Sequence, residues 1–159
     1  MFHKIFISIC LSVFSFSAIA QDNSPHHIGV SSGITTGFGL SYRYWPSKLG
    51  LQITTLPTLV KNSGSFTSFG ASALYMINDT EKIDLYGYLG NSIFLVVDNY
   101  DSELAYKLTY NAGLGFGLKF DVFDQLNINI QLGYGGIDIG SDTGTLFSIV
   151  GETGLYYHF

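Results

Sequence analysis

Cysteine is nearly missing: Cys10 is the only one in 159 residues. A single thiol cannot close an internal disulfide or build a Cys-based zinc site. Charge is scarce too, at 12% of residues, and its balance of −5 is acidic. That balance argues against nucleic acid as a partner and against polybasic attachment to anionic lipid. Proline occurs three times. Past residue 20 there is no run of the ~18 apolar residues a spanning helix requires. A sustained helical period is absent as well.

What the sequence does have begins with its first segment, MFHKIFISIC LSVFSFSAIA. Lys4 precedes an apolar run from Ile5 to Phe16, followed by Ala18-Ile19-Ala20 and the polar QDNSP. This layout predicts a cleaved secretory signal at residues 1–20 and an exported domain at 21–159. Cys10 follows Ile9 rather than a small residue, so a lipidation site is not expected, and cleavage removes the thiol. Nineteen glycines, eleven tyrosines and thirteen phenylalanines dominate the composition. Such a mixture reads as strand-rich, with glycine required for steric reasons.

The periodicity is two. Between Leu104 and Phe120 one side carries Leu104, Tyr106, Leu108, Tyr110, Ala112, Leu114, Phe116, Leu118 and Phe120. The other carries Ala105, Lys107, Thr109, Asn111, Gly113, Gly115, Gly117 and Lys119. The following segment repeats the pattern, Leu126 to Tyr134 alternating with Asn127 to Gly135. Read throughout, it predicts strands near 26–35, 38–45, 49–60, 66–77, 82–96, 104–120, 126–137 and 145–159. Turn chemistry separates them: TTG, PSK, KNSG, NDTEK, DNYDSE, FDQ and DIGSDTG. Pro57 belongs at a strand end or bulge, because it cannot donate to a ladder.

Eight alternating strands suit either a soluble barrel with an apolar interior or a membrane barrel with an apolar exterior. Charge placement separates the two. Most charges fall in turns or at turn edges, and the rest, Arg43, Asp84, Lys107, Lys119, Asp121 and Glu152, share a face with glycines, serines and amides. None stands on the apolar face. Lipid enforces that exclusion, since a Lys or Arg at the midplane costs roughly 2–4 kcal/mol. The expected fold is therefore all-β: an eight-stranded antiparallel up-and-down transmembrane β-barrel. Inward Arg43, Trp45, Tyr86, Tyr88, Phe94 and Tyr156 would fill a narrow interior opposite Gly113, Gly115, Gly117, Gly133 and Gly135. Tyr44, Phe120, Tyr157 and Phe159 would form one aromatic girdle, and Tyr106, Tyr110 and Phe147 the other.

The final TGLYYHF continues the alternation. Thr153-Gly154-x-x-Tyr157-x-Phe159 resembles the C-terminal signal by which the barrel assembly machinery takes up its substrates. With this motif, residues 21–159 resemble the small eight-stranded outer-membrane barrels of the outer membrane protein A/X-like kind. The resemblance implies an outer-membrane location in a Gram-negative envelope. Its partners would be the bilayer, lipopolysaccharide and, during biogenesis, the assembly machinery, and the barrel would be a monomer. It also implies that turns 46–48, 78–82 and 123–125 face the periplasm with both termini. Of the opposite loops, only 98–103 and 138–144 look extended.

Two enzyme families use this barrel. The lipid A deacylases resemble serine esterases with a His-x-Ser pair, which this sequence lacks. The lipid A palmitoyltransferases keep His, Asp and Ser near the outer end, whereas His26, His27 and His158 map to the periplasmic one. Neither GLGFG at 113–117, which reads as strand packing, nor Asp138–Asp142, which lacks a terminal Glu, nor His26-His27 supports a site. No catalytic residue, cofactor or metal is expected. The inward charges are the main candidates: Glu152 is expected to meet Arg43 through barrel closure, with Asp84, Lys107, Lys119 and Asp121 completing a polar plug. The expected role is structural or surface-interacting. A narrow porin-like channel for water or small solutes is the alternative, and a lipid A-modifying enzyme ranks below both.

Overall fold

Alternation alone accounts for the architecture of the computed structural model, which describes residues 24–57, 64–80, 82–100, 103–142 and 144–159. The segment predicted as a signal and the tip of the KNSG turn lie outside these residues. The strands are β1 (His26–Gly33), β2 (Gly37–Tyr44), β3 (Leu49–Pro57), β4 (Ser65–Asn78), β5 (Ile83–Tyr100), β6 (Glu103–Phe123), β7 (Leu126–Ile137) and β8 (Leu146–His158). Each pairs antiparallel with its sequence neighbours, and β1 pairs with β8 to close an eight-stranded barrel. Closure leaves no sheet edge along the paired length. Pro57 sits at the last position of β3, where no interior ladder bond is lost.

One face of every strand is apolar and exposed, the other polar and buried. On β3, Leu49, Leu51 and Ile53 are outside, while Gln52 and Thr54 are 1% and 0% exposed. Large apolar side chains outside include Leu114, Phe116, Leu132 and Ile149. The inside buries Arg43, Asp84, Asn111, Asn129, Gln131 and Glu152. One amide breaks the pattern of the outer face: Asn91 on β5 is exposed between its cross-strand partners Ala71 and Ala112.

The wall is uneven in height. β5 and β6 run to Tyr100 and from Glu103, with cross-strand pairs continuing through Val97–Tyr106 to Tyr100–Glu103. The predicted DNYDSE loop is therefore mostly strand, because no glycine or proline interrupts the ladder there. β1 and β2, by contrast, contain only 8 residues each and stop at the Gly33–Gly37 pair.

The connection between them departs from the sequence expectation. The TTG segment does not point away from the barrel. Gly37 at φ 89° and Gly39 at φ 120° hold conformations that a side chain would strain, and the hairpin tip folds inward. Thr35 and Thr36 end 0% and 1% exposed, inside the wall.

Candidate functional site: the barrel interior

The interior divides into layers, each set by strand register. At the end where β1 begins and β8 finishes, Lys119 Nζ lies 2.7 Å from Asp84 Oδ2 and 3.6 Å from Asp121 Oδ2. The Thr80 backbone N–H also donates to Asp84, at 3.0 Å. These groups border an open cavity of about 960 Å³ that also meets His27, Trp45 and His158. The two histidine rings are 5.6 Å apart. Among the described residues no cluster of His, Cys, Asp or Glu has the composition of a metal centre.

The middle layer is built around Arg43, only 2% exposed. Its Nε donates to Gln52 Oε1 at 2.7 Å, and an Nη donates to Asn129 Oδ1 at 2.6 Å. The guanidinium carbon lies 3.9 Å from the Tyr156 ring centre and 5.8 Å from that of Tyr86. Arg43 is thus held by amide oxygens and ring faces rather than by a carboxylate, an arrangement suited to its planar, weakly hydrated charge. The network continues as the Tyr86 hydroxyl donates to Asn129 Oδ1 at 3.2 Å and Gln131 Nε2 donates to the Tyr86 hydroxyl at 2.9 Å. On the other side, the Tyr156 hydroxyl donates to Ser41 at 2.9 Å.

The expected Arg43–Glu152 pair does not form. Glu152 stands in one row with Gly33 and Gly37, whereas Arg43 stands in the row of His27 and His158. Those rows are six residues apart along β2 and β8, and the Arg43 guanidinium is taken up by Gln52 and Asn129. Barrel closure brings the strands together but not the side chains. Glu152 instead receives the Thr35 backbone N–H at 3.1 Å and the Thr35 hydroxyl at 2.5 Å. Five of the six inward charges therefore form three groups: Lys119 with Asp84 and Asp121, Arg43 among amides and rings, and Glu152 on the turn. Lys107 joins none of them. It stands near the exposed end of β6, 3.7 Å from Asp138.

The inturned segment occupies the upper layer. Ser92 Oγ donates to the Ile34 carbonyl at 2.5 Å, and Asn111 Nδ2 donates to Ser92 Oγ at 3.2 Å. Its seat is a row of glycines, Gly90, Gly113 and Gly135, paired directly across β5, β6 and β7. A Cβ on Gly113 or Gly135 would lie 2.9 Å from Thr35 Cγ2, and one on Gly70 would strike the Thr36 carbonyl. Gly117 and Gly133 accommodate Tyr86 and Tyr88, as expected, but Gly113 and Gly135 accommodate the Thr35 side chain of the turn instead of an aromatic ring, and Gly70 and Gly90 its main chain. The clue in the sequence is the Gly37-x-Gly39 spacing beside these glycines. Above the turn, Phe38, Phe66 and Phe94 form a cluster with ring centres 5.3 to 6.2 Å apart.

The four residues of the terminal motif have separate positions. Thr153 faces outward and donates to the Asn129 carbonyl at 3.1 Å. Gly154 is buried, and a Cβ there would lie 2.6 Å from the Tyr156 ring. The Tyr157 hydroxyl donates to Gln125 Oε1 at 2.6 Å, and Phe159 stacks 6.1 Å from His26.

Comparison with known proteins places the fold. No family model and no curated protein matches the sequence. Solved structures do match. The N-terminal β-barrel domain of Pseudomonas aeruginosa OprF is 14% identical with a TM-score of 0.57, over 84% of this chain and 95% of that one. Neisserial surface protein A is 16% identical with a TM-score of 0.55, over 86% of this chain and 98% of that one. The fold is that of the small eight-stranded outer-membrane β-barrels.

Proposed function

We propose that this protein is exported by a signal at residues 1–20 and resides in the outer membrane as a monomeric barrel with a closed interior. Its role is structural or surface-interacting, not catalytic. The observation that carries the reading is the inversion of polarity. Leu114, Phe116, Leu132 and Ile149 are 63–72% exposed on the outside, while Arg43, Asp84 and Glu152 are at most 5% exposed on the inside. In water such an exterior would be one continuous apolar patch, far beyond what soluble monomers tolerate. In hydrocarbon it is matched to its surroundings.

The end where β1 begins and β8 finishes then faces the periplasm, and the inturned segment with its phenylalanine cluster faces the exterior, next to lipopolysaccharide. Thr153, Gly154, Tyr157 and Phe159 serve recognition by the assembly machinery. Arg43, Tyr86, Tyr156 and the inturned segment are buried in the narrow interior, which supports this reading over the channel. The histidines at the opposite end from Ser31 and Ser32 leave those hydroxyls without a base, which argues against lipid A chemistry.

Two measurements test the reading. Unheated protein from the membrane fraction is expected to migrate faster on a gel than the boiled form, and protein that fractionates as soluble in detergent-free buffer would overturn the location. Planar bilayers with the purified protein are expected to stay silent, and steady unit openings would restore the channel.

A further inference from the structure

The tall part of the wall has an open side. β6 contains 21 residues, about twice the ~10 that a transmembrane strand requires. Its ladder with β5 continues to the Tyr100–Glu103 pair, but its ladder with β7 starts only at Ala112–Gly136. One further bond on the β7 side comes from the loop, where the Ile139 N–H donates to the Tyr110 carbonyl at 2.8 Å. Above Tyr110, among the described residues, no main chain pairs with β6 on that side. Along a strand the N–H and C=O of one residue share a side, and the side alternates from residue to residue. The Tyr110 carbonyl faces β7, so the main-chain groups of Leu108, Tyr106 and Leu104 face the same way, onto an open edge. Those of Thr109, Lys107 and Ala105 serve the ladder with β5.

Folded proteins usually guard such an edge with proline, a bulge or a covering segment. Here ELAYKLT at 103–109 contains neither proline nor glycine, and its pairing with β5 runs without a shift. Both faces beside the edge are exposed, with Tyr106 and Leu108 on one and Ala105 and Lys107 on the other. Lys107 is the single guard, and Asp138 at 3.7 Å offsets its charge. Charge also selects the occupant. The segments at this end carry Asp98, Asp101, Glu103, Asp138 and Asp142 against Lys61 and Lys107. A second copy would bring like charges together, and lipopolysaccharide is itself anionic, so both are disfavoured. A basic polypeptide is attracted instead, and its main chain supplies the groups that an open edge lacks.

We propose that the β6 edge from Leu104 to Leu108 takes up an extended basic segment of a partner protein as an added antiparallel strand. Apolar side chains of that strand continue the face of Tyr106 and Leu108. The inference rests on the surface-interacting role proposed above and names the kind of partner. Its test uses detergent-folded protein, so a failure to bind leaves the membrane location standing, and a soluble fractionation leaves measured binding standing.

The probe is a fluorescent peptide of about eight residues, an ordinary strand length, in which valine alternates with threonine and both ends carry lysine. Binding to the folded barrel is followed by anisotropy. In an antiparallel addition the valines lie on the face of Tyr106 and Leu108 and turn their N–H groups toward β6. Methylating the valine nitrogens is therefore expected to weaken binding about tenfold or more, and methylating the threonine nitrogens by less than about twofold. Leu108→Pro removes an N–H from the open edge but none from the ladder with β5, so the gel shift of the folded form is expected to persist while binding falls about tenfold. Leu108→Val keeps the N–H and is expected to bind as the wild type does. No binding of the unmethylated peptide overturns the proposal, as does any other pattern of response to the two methylations. Equal binding of a peptide with glutamates in place of the lysines overturns the basic partner. Displacement of the peptide by lipopolysaccharide, or a wild-type dimer that Leu108→Pro dissolves, would assign the edge to another occupant and overturn it too.

Discussion

Around Arg43 the barrel is filled by side chains, whereas at Gly70 and Gly90 it is filled by the main chain of the inturned segment. The two halves share one wall and one alternation, but they solve the narrow interior of an eight-stranded barrel differently. In the lower half, long polar and aromatic groups reach across and satisfy one another through Gln52, Asn129, Tyr86 and Gln131. In the upper half, four strands present glycine and a turn from β1–β2 enters the space. A side chain can rotate away from an intruder, but a turn fixed at both ends by strands has fewer ways to yield. The halves should therefore differ in their tolerance of added atoms.

Gly70→Val is the sharpest way to break the upper half, because the new Cβ meets the Thr36 carbonyl and no rotamer relieves it. A loss of about 3 kcal/mol is expected, at the upper end of ordinary overpacking costs. Urea titration followed by the gel shift of the folded form measures it. Wild-type stability in this variant would mean that the turn does not need its seat.

In the lower half the largest effect is expected from Arg43→Met. It removes two charge-assisted hydrogen bonds and the contact with Tyr156, while Gln52 and Asn129 keep acceptors inside the wall. The cost is expected to be about 2 kcal/mol, since Met recovers some of the volume. Arg43→Lys should recover only part of the loss, because an ammonium group cannot stack as a plane. Full recovery by Lys in the same titration would show that charge alone matters there. Gly117→Ala supplies the matched comparison with Gly70. Its Cβ meets the far end of the Tyr86 ring instead of main chain. About 1 kcal/mol is expected, and a loss as large as that of Gly70→Val would erase the distinction between the halves.

Much of the wall is legible in the amino-acid sequence. Alternation from Leu104 to Phe120 gives β6 its faces, and Pro57 marks the end of β3. The interior is less legible, for a physical reason. Alternation says which side a residue faces but not its height, and height decides partners. Arg43 and Glu152 face the same interior, yet six residues of register separate them. The TTG turn is hidden for a similar reason: its residues suit an outward turn as well as an inward one, and only the glycines of distant strands decide between them. The separation of Gly90, Gly113 and Gly135 in sequence conceals that they form a single row. The motif at Thr153, Gly154, Tyr157 and Phe159 is readable as a pattern, whereas the support Gly154 gives to the Tyr156 ring is not.

The smallest expected effect tests the wall itself. Asn91 is an exposed amide on the apolar face of β5, flanked by Ala71 and Ala112. If that face meets hydrocarbon, the amide is poorly solvated there, and Asn91→Leu should stabilise the folded barrel by about 1 kcal/mol in lipid vesicles. A water-facing wall would give no gain, because the amide would already be hydrated and the leucine would add apolar surface. The same substitution made inward, Asn111→Leu, should do the reverse, since Asn111 donates to Ser92 and accepts from the Asp138 backbone N–H. Opposite signs for two Asn→Leu changes on adjacent strands require opposite environments on the two faces of one sheet. Equal signs would remove the inversion of polarity on which the membrane placement depends.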